Sequence, residues 1–234
     1  MEVIILAGGL GTRLRSVVSE VPKCMAPVAG KPFLWYILMY LAHFDVSRVV
    51  LSVGYLREVI LEWINEVKET FPFEFDFAIE DKPLGTGGGI RLAMQHIHGQ
   101  KAVILNGDTF FDVDLNSLLL SHNSNPWAKI TLALKPMRDF DRYGTVDLGQ
   151  NGHILCFNEK QPCKKGVING GVYILTKDQG LYFGLPDRFS FETQVLQKHC
   201  GPSGCLQGIV YDDYFIDIGI PQDYNRIKDC FIIP

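Results

Sequence analysis

Three apolar, β-branched runs set among helix-patterned stretches narrow the fold of this chain more than any other feature. Residues 2–7, 48–54 and 101–106 are rich in Val, Ile and Leu without regular polar alternation, the pattern of strands buried on both faces. Between the first two lies the apolar run 33–44, broken only by His43. Crossing a bilayer takes ~20 residues, so this run predicts a buried helix over 33–43. Leu56, Val59, Ile60, Trp63, Ile64 and Val67 then recur at helical spacing and form one amphipathic stripe. Phe73, Phe75, Phe77 and Ile79 alternate as in a half-buried strand, and a further helix is expected over 88–97. Such a rhythm predicts an α/β fold with a mostly parallel sheet covered by helices.

Beyond about residue 125 the texture turns to strands, at 129–134, 144–148, 153–157 and 168–175, with short helices near 191–198 and 222–230. No linker, repeat or low-complexity tract marks a boundary, so one domain over 1–234 is expected. Its second part would elaborate the same sheet.

Composition excludes several classes. With 22 Lys+Arg against 26 Asp+Glu the net charge is −4, unlike the basic stripe of a general nucleic-acid binder. The N-terminus has no cationic stretch before its apolar run, so it is not expected to be a signal peptide. Six cysteines without a Cys-x-x-Cys pair suggest reduced thiols in a cytoplasmic protein rather than a disulfide framework.

In an open α/β sheet, ligands sit outside the carboxyl ends of the strands, and the chemistry of this chain gathers there. Leu6-Ala7-Gly8-Gly9-Leu10-Gly11-Thr12-Arg13-Leu14 follows the first strand, with Pro22-Lys23 downstream. Glycines let backbone N–H groups close on an anion, and Arg13 and Lys23 would add charge; a tight structural turn is the plain alternative. The dinucleotide fingerprint fails, because Leu14 stands where G-x-G-x-x-G needs its last glycine, and no Walker G-K-[ST] is present. After the third strand come Glu80 and then Gly85, Gly87, Gly88 and Gly89. Each glycine costs ~1 kcal/mol inside a helix relative to Ala, so a loop lying against something flat or anionic is expected.

Asn106-Gly107-Asp108 leaves the fourth strand, and a carboxylate there suits a hard cation such as Mg²⁺. Helix capping falls more naturally to Asp112 or Asp114. Glu159-Lys160, Asn169-Gly170-Gly171 and Asp217-Ile218-Gly219 bring a second acid and further glycines to strand ends. The constellation reads as an anionic, metal-bound polyphosphate site.

These motifs, in this order along essentially the whole chain, resemble the sugar-1-phosphate nucleotidyltransferases. They stand here as L-x-G-G-x-G-T-R-L at 6–14, P-K at 22–23, P-L-G-T at 83–86, N-G-D at 106–108, E-K at 159–160, N-G-G at 169–171 and D-I-G at 217–219. Stretches 106–112, 139–144, 189–192 and 212–219 look most similar to one branch, the guanylyltransferases of D-glycero-α-D-manno-heptose 1-phosphate that serve bacterial surface glycans such as capsule, S-layer glycan and lipopolysaccharide.

The resemblance implies a Rossmann-like single domain with a mixed, mostly parallel central sheet, of the nucleotide-diphospho-sugar transferase type. Its nucleotide-binding part would span about 1–125 and its sugar-phosphate part about 126–234. It implies transfer of GMP from GTP to the sugar 1-phosphate, with Mg²⁺ and release of pyrophosphate. Arg13, Lys23, Asp108 and Lys160 would be catalytic. Leu6, Gly8, Gly9, Gly11, Thr12, Arg13 and Lys23 would face the nucleotide, with Glu80, Leu84, Gly85, Thr86, Asn106 and Gly107. Tyr143, Gly144, Glu159, Lys160, Asn169 and Gly170 would take the sugar phosphate, and Asp108 and Asp217 the metal.

Glu80 falls where pyrimidine-selective members tend to place Gln, and a carboxylate can accept from both adjacent donors of guanine. Expected partners are small molecules, without nucleic acid or membrane; a homodimer stays open. Alternatives in the same family are UTP or dTTP as donor and mannose 1-phosphate as acceptor. A non-catalytic sugar-nucleotide-binding subunit is the reading from another class.

Overall fold

The computed structural model describes residues 1–9, 14, 20–202, 204–229 and 231. β1 (Glu2–Leu6) is followed by a short hairpin, β2 (Pro27–Val28) with β3 (Lys31–Pro32), and by α1 (Phe33–Leu41). Then β4 (Arg48–Val53), α2 (Arg57–Val67), β5 (Glu74–Ile79), α3 (Gly85–Ala93) and β6 (Lys101–Asn106) complete the alternating half. The second half runs β7 (Thr109–Phe111), α4 (Leu115–Asn123), β8 (Ile130–Phe140), β9 (Val146–Leu148), β10 (Ile154–Phe157) and β11 (Cys163–Thr176). A π-helical turn (Glu192–Leu196) leads into α5 (Gln197–His199), and β12 (Leu206–Val210), β13 (Phe215–Asp217) and α6 (Pro221–Ile227) follow.

The central sheet has the order β12-β8-β11-β6-β1-β4-β5. β1 pairs in parallel with β4 and β6, β4 with β5, and β12 with β8. β11 runs antiparallel between β6 and β8. The sheet is therefore mixed and mostly parallel. Because side chains alternate along a strand, Val3 and Ile5 of β1 join one core with α1, while Ile4 joins a second core with Ile90 and Ala93 of α3. Both faces are buried, as the unalternating apolar runs require.

Three expectations need correction. The glycines 85–89 do not form a loop; they make the first turns of α3. A Cβ on Gly87 would stand 2.2 Å from the Phe189 ring, and one on Gly88 2.4 Å from the Asp187 carbonyl oxygen. Close packing by a segment a hundred residues downstream outweighs helix propensity here. Second, β8 and β11 extend well past 129–134 and 168–175, because beyond the sheet they still pair with each other, Cys163 opposite Phe140. Third, β12 was not expected. Gly208 interrupts its apolar pattern, yet a Cβ there would stand 2.6 Å from Leu134 and 2.8 Å from Leu148.

Candidate active site

β6 ends at Asn106 and the chain turns at Gly107, whose N–H donates to the Leu6 carbonyl at 3.0 Å. A Cβ on Gly107 would lie 2.6 Å from that oxygen, so only glycine fits the turn. β7 starts one residue after Asp108 and pairs antiparallel with β13, with Asp217 opposite Thr109. That register, sealed by the Ile218 N–H on the Asp108 carbonyl at 3.0 Å, sets two carboxylates from distant sequence side by side.

Lys23 comes to the same place from the 3₁₀ turn Lys23–Met25. Its ammonium donates to Asp108 Oδ2 and lies 4.0 Å from Asp217 Oδ1, with only 11% of its side chain exposed. Asp217 Oδ1 also accepts from the Gly219 N–H at 2.6 Å, and Oδ2 from the Tyr143 hydroxyl at 3.3 Å. Burial and the Asp217 charge both raise the Tyr143 pKa, so that phenol stays a donor.

Two carboxylates sharing one cation form a hard oxygen pair. Among the described residues no group of three or more His, Cys, Asp or Glu gathers into a protein-only metal cage. A divalent cation such as Mg²⁺ characteristically binds one or two carboxylates and completes its shell with water and substrate phosphates, and this pair fits that pattern.

Beside this cluster, at the carboxyl ends of β1, β4 and β5, lies a cavity of about 200 Å³ whose wall includes Leu6, Gly8, Gly9, Glu80, Gly85 and Thr86. Glu80 is half-buried. Its Oε2 accepts from the Leu84 N–H at 2.9 Å, and its Oε1 lies 3.4 Å from the Ser52 hydroxyl. Burial raises its pKa, against the opposing pull of those two donors. Oε1 is packed so closely that a Cβ on Gly8 or Gly89 would come within 2.9 Å of it. One carboxylate oxygen is thus committed to shaping the Leu84 turn, where the sequence reading has both on guanine. Gly9, in contrast, is exposed, and a Cβ there meets nothing within 4 Å among the described residues.

A second cavity, of about 440 Å³, opens between β6, β11 and the π-helical turn. Tyr143, Gly144, Glu159, Lys160, Asn169 and Gly170 all line it, and Asn106 and Asp217 border it too. Gly144 lies tight on the chain, since a Cβ would meet the Asn158 carbonyl at 2.3 Å. Gly170 and Gly171 occupy an irregularity in the β11–β8 pairing, with Gly171 at φ +75°, a conformation that favours glycine. The bulge leaves the Asn169 side chain to donate to the Tyr173 hydroxyl at 2.8 Å and accept from the Gly171 N–H at 3.0 Å. Lys160 is exposed, and no hydrogen bond or ion pair ties it to the described residues.

Gly11, Thr12 and Arg13 lie outside the described residues. Sequence reasoning missed Ser52 and Arg188 in the smaller cavity, and Glu192, Thr193 and Gln197 in the larger. Only Glu192 carried a signal, inside the stretch 189–192 that marked the branch resemblance. No described helix is long and apolar enough to cross a membrane.

A family model described as nucleotidyl transferase matches residues 2–230. The D-glycero-alpha-D-manno-heptose 1-phosphate guanylyltransferases of Campylobacter jejuni and Aneurinibacillus thermoaerophilus are each 46% identical to this chain, over 96% and 97% of it and 97% of each relative. The crystal structure of HddC from Yersinia pseudotuberculosis complexed with GMP-PN matches with a TM-score of 0.84 at 38% identity, covering 97% of this chain and 98% of that one.

Proposed function

We infer that this chain, which belongs to the nucleotidyl transferase family, transfers GMP from GTP to D-glycero-α-D-manno-heptose 1-phosphate, releasing GDP-heptose and pyrophosphate. The observation that carries the chemistry is the convergence of Lys23, Asp108 and Asp217 on one point at the carboxyl end of the sheet. The choice of substrates rests on the near full-length similarity to the two heptose 1-phosphate guanylyltransferases.

A phosphate oxygen of the sugar 1-phosphate attacks the α-phosphorus in line, and pyrophosphate leaves. The nucleophile already carries about −1.5 to −2 charge near neutral pH, so the protein needs no base to activate it. The barrier lies in bringing two polyanions together, which makes catalysis a matter of positioning and charge. Lys23 and Arg13 would cover the triphosphate, and Gly8, Gly9 and Gly11 would offer backbone donors. Lys160 would hold the incoming phosphate while Glu159 and Asn169 meet sugar hydroxyls. Asp108 and Asp217 would hold a divalent cation, for which we take Mg²⁺; when bound, it neutralises charge on the triphosphate. The nucleotide part is placed at about 1–125 and the sugar part at about 126–234 of one domain.

Pyrophosphate release from each of the four NTPs against a panel of sugar 1-phosphates tests this reading. GTP with the heptose 1-phosphate should lead the panel. A preference for UTP or dTTP, or for mannose 1-phosphate, would overturn the substrate assignment, and no release with any pair would overturn the activity.

A further inference from the structure

The segments 84–87 and 189–192 are tied together across a hundred residues of sequence. Phe189 N–H donates to the Leu84 carbonyl and Gly87 N–H to the Phe189 carbonyl, each at 3.0 Å. Thr86 Oγ1 accepts from the Phe191 N–H at 2.9 Å and donates its one proton to Glu192 Oε2 at 2.7 Å. The Ser190 hydroxyl donates to the same oxygen at 2.8 Å. Glu192 opens a π-helical turn, a distortion that proteins often keep at functional sites.

Two hydroxyls therefore fix one oxygen of this carboxylate. The other, Oε1, has no hydrogen-bond partner among the described residues, and Glu192 lines the cavity that holds Asn169 and Lys160. Phe191 packs edge-on against Tyr173, ring centroids 5.5 Å apart, and Tyr173 in turn holds Asn169. The turn is thus seated on the same residues that shape the cavity floor. An ionised carboxylate only accepts hydrogen bonds and repels phosphate. A sugar 1-phosphate offers it one kind of group, a hydroxyl.

We propose that Glu192 is a specificity-determining residue for the acceptor sugar, its free Oε1 accepting a hydrogen bond from a sugar hydroxyl while Thr86 and Ser190 hold the carboxylate in register. This rests on the reading of the chain as a sugar-1-phosphate guanylyltransferase and adds a hydroxyl acceptor to Glu159 and Asn169. It also explains why a polar residue at position 86, facing the nucleotide-side cavity, is bound to the sugar side.

The test is steady-state kinetics of the wild type, Glu192→Gln and Glu192→Asp with GTP and the heptose 1-phosphate. The same three proteins are then assayed with a set of monodeoxy analogues of that substrate. The aspartate keeps the charge but withdraws it from the cavity. Both variants should raise KM for the sugar phosphate by roughly tenfold or more, the usual scale of a lost charge-assisted bond. KM for GTP should stay within about twofold, with the thermal midpoint of at least one variant near that of the wild type. One deoxy analogue should cost the wild type as much as the substitution does, and cost the variants little more.

An unchanged KM for the sugar phosphate overturns the proposal. So does an equal rise in both KM values, which would mark Glu192 as a brace for the Thr86 segment alone, and so does a substitution penalty that no deoxy analogue removes. A wild type inactive with every sugar 1-phosphate would instead bring down the functional reading and this proposal with it, so the two failures are distinguishable.

Discussion

The two cavities at the carboxyl end of the sheet are made of different material. Four glycines, Gly8, Gly9, Gly85 and Gly89, border the smaller, with Gly8 and Gly89 packed close on Glu80 and Gly85 on the Phe189 segment. The larger is walled by side chains, Tyr143, Glu159, Lys160, Asn169 and Asp217 among them, delivered by loops and by the long strand β11. A triphosphate is the same in every nucleotide, so backbone N–H groups beside fixed cations can hold it whatever the base. Sugars differ only in hydroxyl placement and size, which side chains must read. The comparison teaches that the larger cavity has more side chains whose change could alter the substrate taken, and the smaller one chiefly Glu80.

The largest effect should come at the carboxylate pair, of which Asp217 borders the larger cavity. Asp108→Asn or Asp217→Asn keeps shape but removes the charge that holds a hard cation, and kcat should fall by about 100-fold or more. Near-normal turnover in a folded Asp217→Asn protein would remove that residue from the metal site.

Away from the lining of both cavities, the fold carries a pH liability. His122, 3% exposed, is held by Thr131 at 2.8 Å and Thr176 at 2.9 Å, tying α4 to β8 and β11. Burial, helped by Lys101, lowers its pKa to about 4. The unfolded chain then binds the extra proton between roughly pH 6.5 and pH 4, so stability is full above that window and lost as pH falls through it. Urea unfolding at pH 7 and pH 4.5 should show most of a loss of about 3 kcal/mol. His122→Gln should flatten that part of the profile, and an equally steep profile in that variant would move the liability elsewhere.

The glycines of α3 and of the β1 exit are testable as packing. Gly87→Ala drives a methyl into the Phe189 ring and should cost about 1–3 kcal/mol by chemical denaturation. Gly9→Ala, with no described residue within 4 Å of the added methyl, should leave stability unchanged and act only on the apparent affinity for GTP. Equal stability losses would erase the distinction.

Separate walls also imply separable kinetics. Lys160→Ala should raise KM mainly for the sugar phosphate, and Lys23→Ala mainly for GTP, each by about tenfold with some loss of rate. Both failing against one substrate would mean that the cavities are misassigned. The smallest effect is expected at Glu80. With Oε2 held by the Leu84 N–H, Glu80→Gln should change the GTP-over-UTP ratio of kcat/KM by less than about tenfold. A larger change would show that the carboxylate reads the base with both oxygens.

The elements legible in the sequence are those specified by local pattern. Unalternating apolar runs called β1, β4 and β6 because both faces of those strands are covered, and Asp114 stood where its carboxylate accepts from the Asn116 and Ser117 N–H groups at 2.9 and 3.3 Å. The motifs singled out Lys23, Asp108 and Asp217 as candidate site residues, the two aspartates because charge beside glycine at a strand exit has few structural uses and Lys23 through the Pro-Lys pair of the family resemblance. What the sequence could not express is contact between distant segments. The β7–β13 register that pairs the two aspartates, the Phe189 ring that turns a glycine run into a helix, and the Thr86–Glu192 bond each depend on residues about a hundred positions apart. Periodicity reports only how a residue faces its near neighbours along one element. Which surface it then meets is decided when the sheet closes its order, and that order brought the 189–192 turn against α3.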